Sequence, residues 1–192
     1  MKKQSWYVTA LFSAIILATF ILVGCSSDNS LAPETPSAGL QVKSNTGMVT
    51  LLKMKNPAPL SKGEASAAII QKFITVAQGG EIAVGNELFG VSRIIFQPND
   101  LPENLLISIQ WSLGSYCEGV FGPHGTQFNQ PVRVELSYKN ADLTGINEDD
   151  LRVYYFNEDT NLWEAIGGTV DKTNKVIIAY LEHFSRYAIV KT

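Results

Sequence analysis

Short runs of alternating apolar and polar residues fill most of the chain after residue 70. They lie at 71–77, 81–84, 89–96, 105–111, 132–136, 152–156, 162–166 and 176–190. Clusters rich in Gly, Asn, Asp and Pro separate the runs at a spacing of roughly 8 to 12 residues, as in antiparallel β proteins. Period-two alternation is typical of strands with one buried face. We therefore predict an all-β fold, a single antiparallel β-sandwich domain over residues 70–192, which is long enough for one core.

Three segments depart from this pattern. Glu64 to Phe73 is predicted to form one or two helical turns, and Ala141 to Leu151 offers Thr144 or Asn147 as the cap of a single turn. Met48 to Leu52 is a short β-type run inside a polar segment, which predicts an edge strand.

The N-terminus has the pattern of a secretory signal. Met1-Lys2-Lys3 is positively charged, an uncharged apolar run covers 8–23, and Leu22-Val23-Gly24-Cys25 follows. The last four residues resemble the lipobox of bacterial lipoproteins, which signal peptidase II cleaves before the cysteine. We predict that residues 1–24 are removed and that Cys25 carries the lipid. The alternative is a plain N-terminal anchor helix, and either arrangement holds the chain at a membrane.

The residues after Cys25 read as a flexible tether. Ser, Asn, Pro, Lys and Gly dominate 26–66, with no sustained apolar period to offset the entropy of ordering. We therefore assign 25–69 to the lipidated cysteine and tether. Ser26, rather than aspartate, follows the cysteine; by resemblance to lipoprotein sorting signals, this favours the outer membrane in a cell with two membranes.

Charge and cysteine content exclude several classes of protein. The formal net charge is −3, and loss of Lys2 and Lys3 with the signal makes it more negative. No basic stripe remains to predict nucleic-acid binding. With Cys25 lipidated, Cys117 has no partner, which excludes a disulfide scaffold and a cysteine-based metal site. We expect Cys117 to be buried.

Five blocks of sequence resemble, in order, the ZU-five domain of zonula occludens and Unc-five proteins. They are Gly79-Gly80-Glu81-Ile82, Ile94-Ile95-Phe96-Gln97-Pro98, Phe121-Gly122-Pro123-His124-Gly125-Thr126-Gln127-Phe128, Gln130-Pro131-Val132 and His183-Phe184-Ser185. The resemblance covers nearly all of 70–192. It implies a β-sandwich used mainly for protein–protein contact. This chain shows no adjoining partner domain or death domain, so no specific partner carries over.

The tripeptide His183-Phe184-Ser185 has two interpretations. In ZU-five domains resembling that of the death-domain protein PIDD, it is a self-cleavage site. That resemblance implies attack of the Ser185 hydroxyl on the Phe184 carbonyl, with His183 as the base. Alternatively, Phe184 fills the core while His183 and Ser185 share the other face of a strand. We favour the second and expect no catalytic residue, and therefore no enzyme.

The other candidate site residues have simple structural interpretations. His124 is expected in a loop of tight turns pinned by Phe121 and Phe128. The acidic clusters Glu148-Asp149-Asp150 and Glu158-Asp159 lack the spacing of a calcium loop and are predicted to be solvated turns. No metal or cofactor is predicted.

Trp111 and Trp163 raise the alternative of a carbohydrate-binding surface. Both lie in alternating runs, where tryptophan is more often part of the core than a sugar platform. The favoured prediction is a lipid-anchored protein of the cell envelope whose β-sandwich acts as a structural or protein-interaction module. Its expected partners are the membrane, through Cys25, and another envelope protein.

Overall fold

The computed structural model describes residues 39–56, 69–111 and 114–192, which belong to one compact unit. The predicted signal segment, Cys25 and the remaining parts of the predicted tether lie outside these residues. The strands are β1 (Gly39–Ser44), β2 (Gly47–Leu52), β3 (Ile70–Ile74), β4 (Gly80–Asn86), β5 (Gly90–Phe96), β6 (Leu105–Trp111), β7 (Glu118–Gly122), β8 (Gln127–Ser137), β9 (Leu151–Asn157), β10 (Leu162–Gly167), β11 (Thr169–Asp171), β12 (Val176–His183) and β13 (Arg186–Lys191).

Two packed sheets confirm the predicted all-β sandwich. One has eight strands in the order β2-β1-β10-β9-β13-β7-β6-β3, and the other has five in the order β11-β12-β8-β5-β4. Among the described residues, every strand pair is antiparallel except β1 with β10, which meet in parallel at Ser44 and Trp163. Each alternating run named above contributes to a strand.

The main core lies between the two sheets and follows from the alternation. In β6, for example, Ile107 and Ile109 point inward and are fully buried. Leu106, at an alternate position of the same strand, points outward and is exposed. Buried residues from both sheets complete this core, including Ile82, Ile94, Phe121, Val132, Val134, Leu136, Val153, Phe184 and Tyr187.

A second, smaller core lies on the opposite face of β9 and β13. β2 pairs with β1 and also with the end of β13, so the strands β2, β1, β10, β9 and β13 close into a ring. The side chains inside this ring are Val49, Leu51, Tyr154, Trp163, Ala188 and Val190. Both faces of β13 are therefore buried, one in each core.

This ring corrects the predicted extent of the tether. Residues 39–52 form the hairpin of β1 and β2, so part of the predicted tether belongs to the sandwich, and its first described strand starts 31 positions before residue 70. The predicted strand at Met48 to Leu52 is confirmed as part of β2, but its predicted edge position is wrong, because β2 pairs with β1 on one side and with β13 on the other. The sequence did not reveal this because β1 carries few apolar residues and is largely exposed, and its place in the sheet depends on pairing with β2 and with the distant strand β10.

The two helical predictions have different outcomes. Within Glu64 to Phe73 the structure describes 69–73, of which Ile70 to Phe73 belong to strand β3, so a helix is wrong there. Pairing with β6 overrides the local signal, because each residue of β3 from Ile70 to Ile74 has a partner in that strand. The single turn predicted within Ala141 to Leu151 is a 3₁₀ turn, Glu148–Asp150, and the Asn147 side chain caps it by accepting from the Asp149 N–H.

Cys117 is buried, as expected, with 1% of its surface exposed. Burial raises the pKa of its thiol to about 12. Because the thiolate is the reactive form, we predict no reaction with Ellman's reagent at pH 8 in the folded protein and full reaction after unfolding in guanidinium. Prompt release of one equivalent of thionitrobenzoate from the native protein would contradict this burial.

Candidate functional site

The link between β12 and β13 carries the sequence-predicted tripeptide. β12 ends at His183 and β13 begins at Arg186, so Phe184 and Ser185 carry the chain from the five-stranded sheet to the eight-stranded one. Phe184 is fully buried between Phe96 and Phe128, with ring centroids 6.2 and 4.7 Å away. The side chain therefore fills the core.

His183 and Ser185 lie in different surroundings, which corrects the expectation of a shared strand face. The His183 ring is half-buried and meets Tyr155 edge-on, with centroids 5.0 Å apart. Ser185 is buried, and its hydroxyl donates to the Phe156 carbonyl at 3.2 Å. The reason is that β12 ends at His183, so period-two geometry does not extend to Ser185.

The glycine-rich loop holds the backbone of this link. The Phe184 N–H donates to the Thr126 carbonyl at 3.0 Å, and the Phe184 carbonyl accepts from the Gly125 N–H at 3.1 Å. The Phe121 N–H donates to the Ser185 carbonyl at 3.0 Å. Gly125 has φ +79°, a conformation that glycine adopts without steric cost. Two of the sequence blocks that resemble the ZU-five domain, the loop from Phe121 to Phe128 and His183-Phe184-Ser185, therefore meet in space.

The ends of that loop are pinned as predicted. Phe121 is fully buried and stacks on Tyr187, with ring centroids 5.3 Å apart. Phe128 packs edge-on against Phe96 at 6.0 Å. His124 stands half-exposed at the turn, where its Nε2 lies 3.5 Å from Glu158 Oε1.

Beside the link lies a cleft of about 310 Å³, the His183 cleft, lined by Tyr155, Ala165, Ile166, Tyr180, Glu182, His183 and Tyr187. The Tyr187 hydroxyl donates to the His183 carbonyl, and burial raises the pKa of this phenol. The Tyr155 hydroxyl donates to Glu164 Oε2 at 2.6 Å. This hydrogen bond, together with burial, raises the pKa of the Tyr155 phenol. Both phenols thus stay protonated at neutral pH and act as hydrogen-bond donors.

For self-cleavage, the geometry supplies one component. The Gly125 N–H already donates to the carbonyl that would become the oxyanion. His183 Nδ1 lies 3.4 Å from the same Phe184 carbonyl oxygen. The Ser185 hydroxyl is turned toward Phe156 instead, and among the described contacts none joins it to the imidazole. The site therefore has a positioned carbonyl, while the nucleophile lacks a base.

The acidic turn at Glu148 is more structural than predicted. Glu148 accepts from the Tyr138 hydroxyl at 2.7 Å and from the Lys175 ammonium at 2.8 Å. The bond from Lys175, followed by that from Tyr138, lowers the pKa of Glu148. This carboxylate fastens the 3₁₀ turn to the sandwich, so the interpretation as a solvated turn is wrong for Glu148. Asp149 beside it forms an exposed pair with Lys172 at 2.7 Å.

Both tryptophans belong to the cores. Trp111 has 8% of its surface exposed, and its indole N–H donates to the Ser137 carbonyl at 3.3 Å. Trp163 has 4% exposed and lies in the second core, with the Arg186 guanidinium 5.3 Å from its ring. Neither ring is a free platform for a sugar.

Sequence reasoning missed an apolar surface on the eight-stranded sheet. Phe73 of β3 pairs with Leu106 of β6, and their side chains are 59% and 53% exposed. Val120 on β7 is also exposed. We call Phe73, Leu106 and Val120 the apolar wing. The sequence did contain a signal for this surface, the three consecutive apolar residues from Leu105 to Ile107. Because side chains alternate along a strand, the middle one, Leu106, must point outward.

A polar groove of about 570 Å³ lies on the outer face of the five-stranded sheet, and it was also missed. Its charges largely neutralise one another. Arg93 lies 3.4 Å from Glu135 and 3.6 Å from Glu81, and Arg133 lies 2.7 Å from Glu135. These residues occupy alternate, solvent-facing positions, and their pairing depends on a strand order that one-dimensional patterns do not specify.

Comparison with known proteins yields partial similarities. The chain matches no protein-family profile. Over 56 residues, 29% of this chain, it is 41% identical to a protein of Evansella cellulosilytica that is provisionally named a membrane protein. Over 59 residues, 31% of this chain, it is 39% identical to an amylopullulanase of Thermoanaerobacterium thermosulfurigenes. The matched segments cover 8% and 3% of those two proteins.

The first of these similarities is compatible with a location in a membrane or envelope. Within residues 39–56, 69–111 and 114–192, no helix has the length and apolar character needed to cross a membrane.

Proposed function

We propose that this protein is a lipoprotein of the bacterial cell envelope, anchored through Cys25, whose ZU-five-like sandwich is a non-enzymatic module that binds another envelope protein. The lipobox-like sequence before Cys25 supports the anchor. The observation that carries the binding role is the apolar wing beside the edge of β3.

β3 pairs with β6 and with no other strand in the described part of the chain. An unpaired strand edge presents backbone N–H and C=O groups that an extended peptide can bind. Phe73 lies on the edge strand β3 and Leu106 lies beside it on β6, so a strand bound to β3 would contact Phe73 directly and lie one strand away from Leu106. Burial of a large apolar side chain contributes about 1.5–3 kcal/mol. The occupant we propose is an extended segment of a partner protein, paired with β3.

The anchor is tested by Cys25→Ala. We expect the wild-type mature protein to float with membranes and to carry the mass of a lipidated N-terminal cysteine, because acyl chains contribute about 0.8 kcal/mol per buried methylene. The variant should be released from membranes or mislocalised. Wild-type protein that is fully soluble and unlipidated by mass spectrometry would disprove the anchor.

The binding surface is tested by photocrosslinking in the native envelope. A photoreactive phenylalanine analogue at Leu106 is expected to form one discrete adduct with another protein, identifiable by mass spectrometry. The same analogue at Tyr180, which is 56% exposed on the other sheet, serves as the matched control. Phe73→Lys should remove the Leu106 adduct without changing expression. Equal adducts at both positions, or an adduct insensitive to Phe73→Lys, would contradict binding at β3.

Self-cleavage between Phe184 and Ser185 is the second candidate, favoured by the Gly125 N–H on the Phe184 carbonyl. The reaction would be an N-to-O acyl shift to an ester, followed by hydrolysis. Since the Ser185 hydroxyl is bonded to Phe156, we expect a single full-length mature mass after prolonged incubation. A fragment beginning at Ser185 that disappears in Ser185→Ala would establish cleavage and overturn this expectation.

Carbohydrate binding is a third candidate. Two observations support it: the partial similarity to an amylopullulanase and one exposed aromatic ring. Tyr180 is 56% exposed and lies opposite Arg133 in the strand register. Titration with soluble polysaccharides by calorimetry, comparing wild type with Tyr180→Ala, tests it. Heat of binding that Tyr180→Ala removes would favour this function over protein binding.

A further inference from the structure

The hairpin between β4 and β5 ends in two exposed apolar side chains. Asn86 pairs with Gly90, which closes a loop of Glu87, Leu88 and Phe89. Leu88 is 74% exposed, more than any other large hydrophobic side chain of the described residues, and Phe89 is 46% exposed. We call these three loop residues the Leu88–Phe89 tip.

The tip is held in a fixed conformation. The Asn86 side-chain oxygen accepts from the N–H groups of Leu88 and Phe89, each at 3.0 Å. The Lys139 ammonium donates to the Glu87 carbonyl. Gly90 packs so closely on β8 that a Cβ atom there would lie 2.0 Å from Ser137 Oγ. The apolar side chains are thus presented to the surroundings by a preorganised turn.

The tip lies at the end of the sandwich where β1 begins. Gly39, the first residue of β1, pairs with Leu52, the last of β2. Three residues further on, the Lys55 N–H donates to the Asn140 carbonyl at 2.7 Å. Asn140 adjoins Lys139, whose side chain reaches the tip. A short series of contacts therefore connects the start of β1 to Leu88 and Phe89.

The distance from the predicted lipid to this end is short. Residues 26–38 separate Cys25 from Gly39, and thirteen residues span at most about 45 Å when fully extended. Tethering on this scale keeps a weak contact site at high effective concentration near the bilayer. The same end presents Leu40, which is 48% exposed, and the exposed lysines Lys53 and Lys55.

We propose that Leu88 and Phe89 insert into the surface of the bilayer that holds the Cys25 lipid, giving the sandwich a second membrane contact and a fixed orientation. This inference rests on the proposed lipid anchor. Apolar side chains at a rigid tip, with lysines at the same end, match the acyl and headgroup layers of a bilayer. The orientation directs the other parts of the sandwich away from the membrane.

The test uses the full-length lipidated protein in vesicles of phosphatidylethanolamine and phosphatidylglycerol. An environment-sensitive fluorophore is attached at Leu88→Cys, since the thiol of Cys25 is blocked by lipid and Cys117 is buried. Met48→Cys is the matched control, because Met48 is a 62% exposed apolar residue at the opposite end of the β1–β2 hairpin. Brominated phospholipids then report contact with the acyl chains.

We expect the label at position 88 to be quenched several-fold more than the label at position 48, and Phe89→Asn to reduce that difference. Equal quenching at both positions in vesicles that float with the protein would overturn the tip proposal and leave the anchor intact. Protection of position 88 by a second protein, without quenching by lipid, would also overturn it. An unlipidated mass with no flotation would instead disprove the anchor itself, and the tip proposal with it.

Discussion

Replacing Phe184 with alanine is expected to lower the free energy of unfolding by about 3–5 kcal/mol, the usual cost of removing a buried aromatic ring. The ring is fully buried and makes edge-on contacts with Phe128 and Phe96. Its backbone is fixed by Thr126 and Gly125. The surroundings therefore cannot collapse easily into the space left behind, which places the cost toward the upper end of this range.

Urea denaturation followed by far-ultraviolet circular dichroism measures the effect. Phe89→Ala is the matched control, because that ring is 46% exposed at the Leu88–Phe89 tip and its removal should change stability by no more than about 0.5 kcal/mol. Similar losses in the two variants would mean that Phe184 is not a core residue.

The alternation of apolar and polar residues was sufficient to predict the sandwich. Strands such as β6 and β8 bury one face, so their period of two is visible in the sequence itself. Turn residues between them set the boundaries to within a few positions. Fold class follows from such local signals because each strand contributes its own inward face to the main core.

The second core could not be predicted in the same way. In β13, Tyr187 and Ile189 face the main core, whereas Ala188 and Val190 face the second one. A strand buried on both faces loses its alternation, and the partner that covers the second face comes from residues 39–52, far away in sequence. Their polar composition favours a tether when considered alone, and only pairing with distant strands overrides it.

The candidate site was predicted in position but not in chemistry. The sequence indicated both His183-Phe184-Ser185 and the loop from Phe121 to Phe128. Their backbone hydrogen bonds join residues separated by about sixty positions, which spacing alone does not reveal. The bond from Ser185 to Phe156, which directs the hydroxyl away from His183, depends on the packing of β9 and was equally hidden.

The proposed anchor, wing and tip are compatible with one arrangement. β1 begins at Gly39, and the tip lies at the same end. The apolar wing on β3, β6 and β7 lies along the outer surface of the eight-stranded sheet. A sandwich standing on its tip would therefore expose the edge of β3 sideways, where a partner segment can approach it along the membrane.

Removing β1 and β2 is expected to unfold the domain. A mature chain that starts at Lys53 lacks Val49 and Leu51 of the second core and Leu52 of the main core, and it uncovers Trp163 and Val190. At about 1.5–3 kcal/mol per large apolar side chain, the loss is on the order of 5–10 kcal/mol, comparable with the total stability of a typical domain.

The control is a chain that starts at Gly39, which retains the closed ring of strands. Circular dichroism, urea midpoints and binding of the dye ANS should show a cooperative native state for the longer chain and a loosely packed or unfolded state for the shorter one. Equal midpoints for the two chains would mean that residues 39–52 act as a tether, as their composition alone predicts.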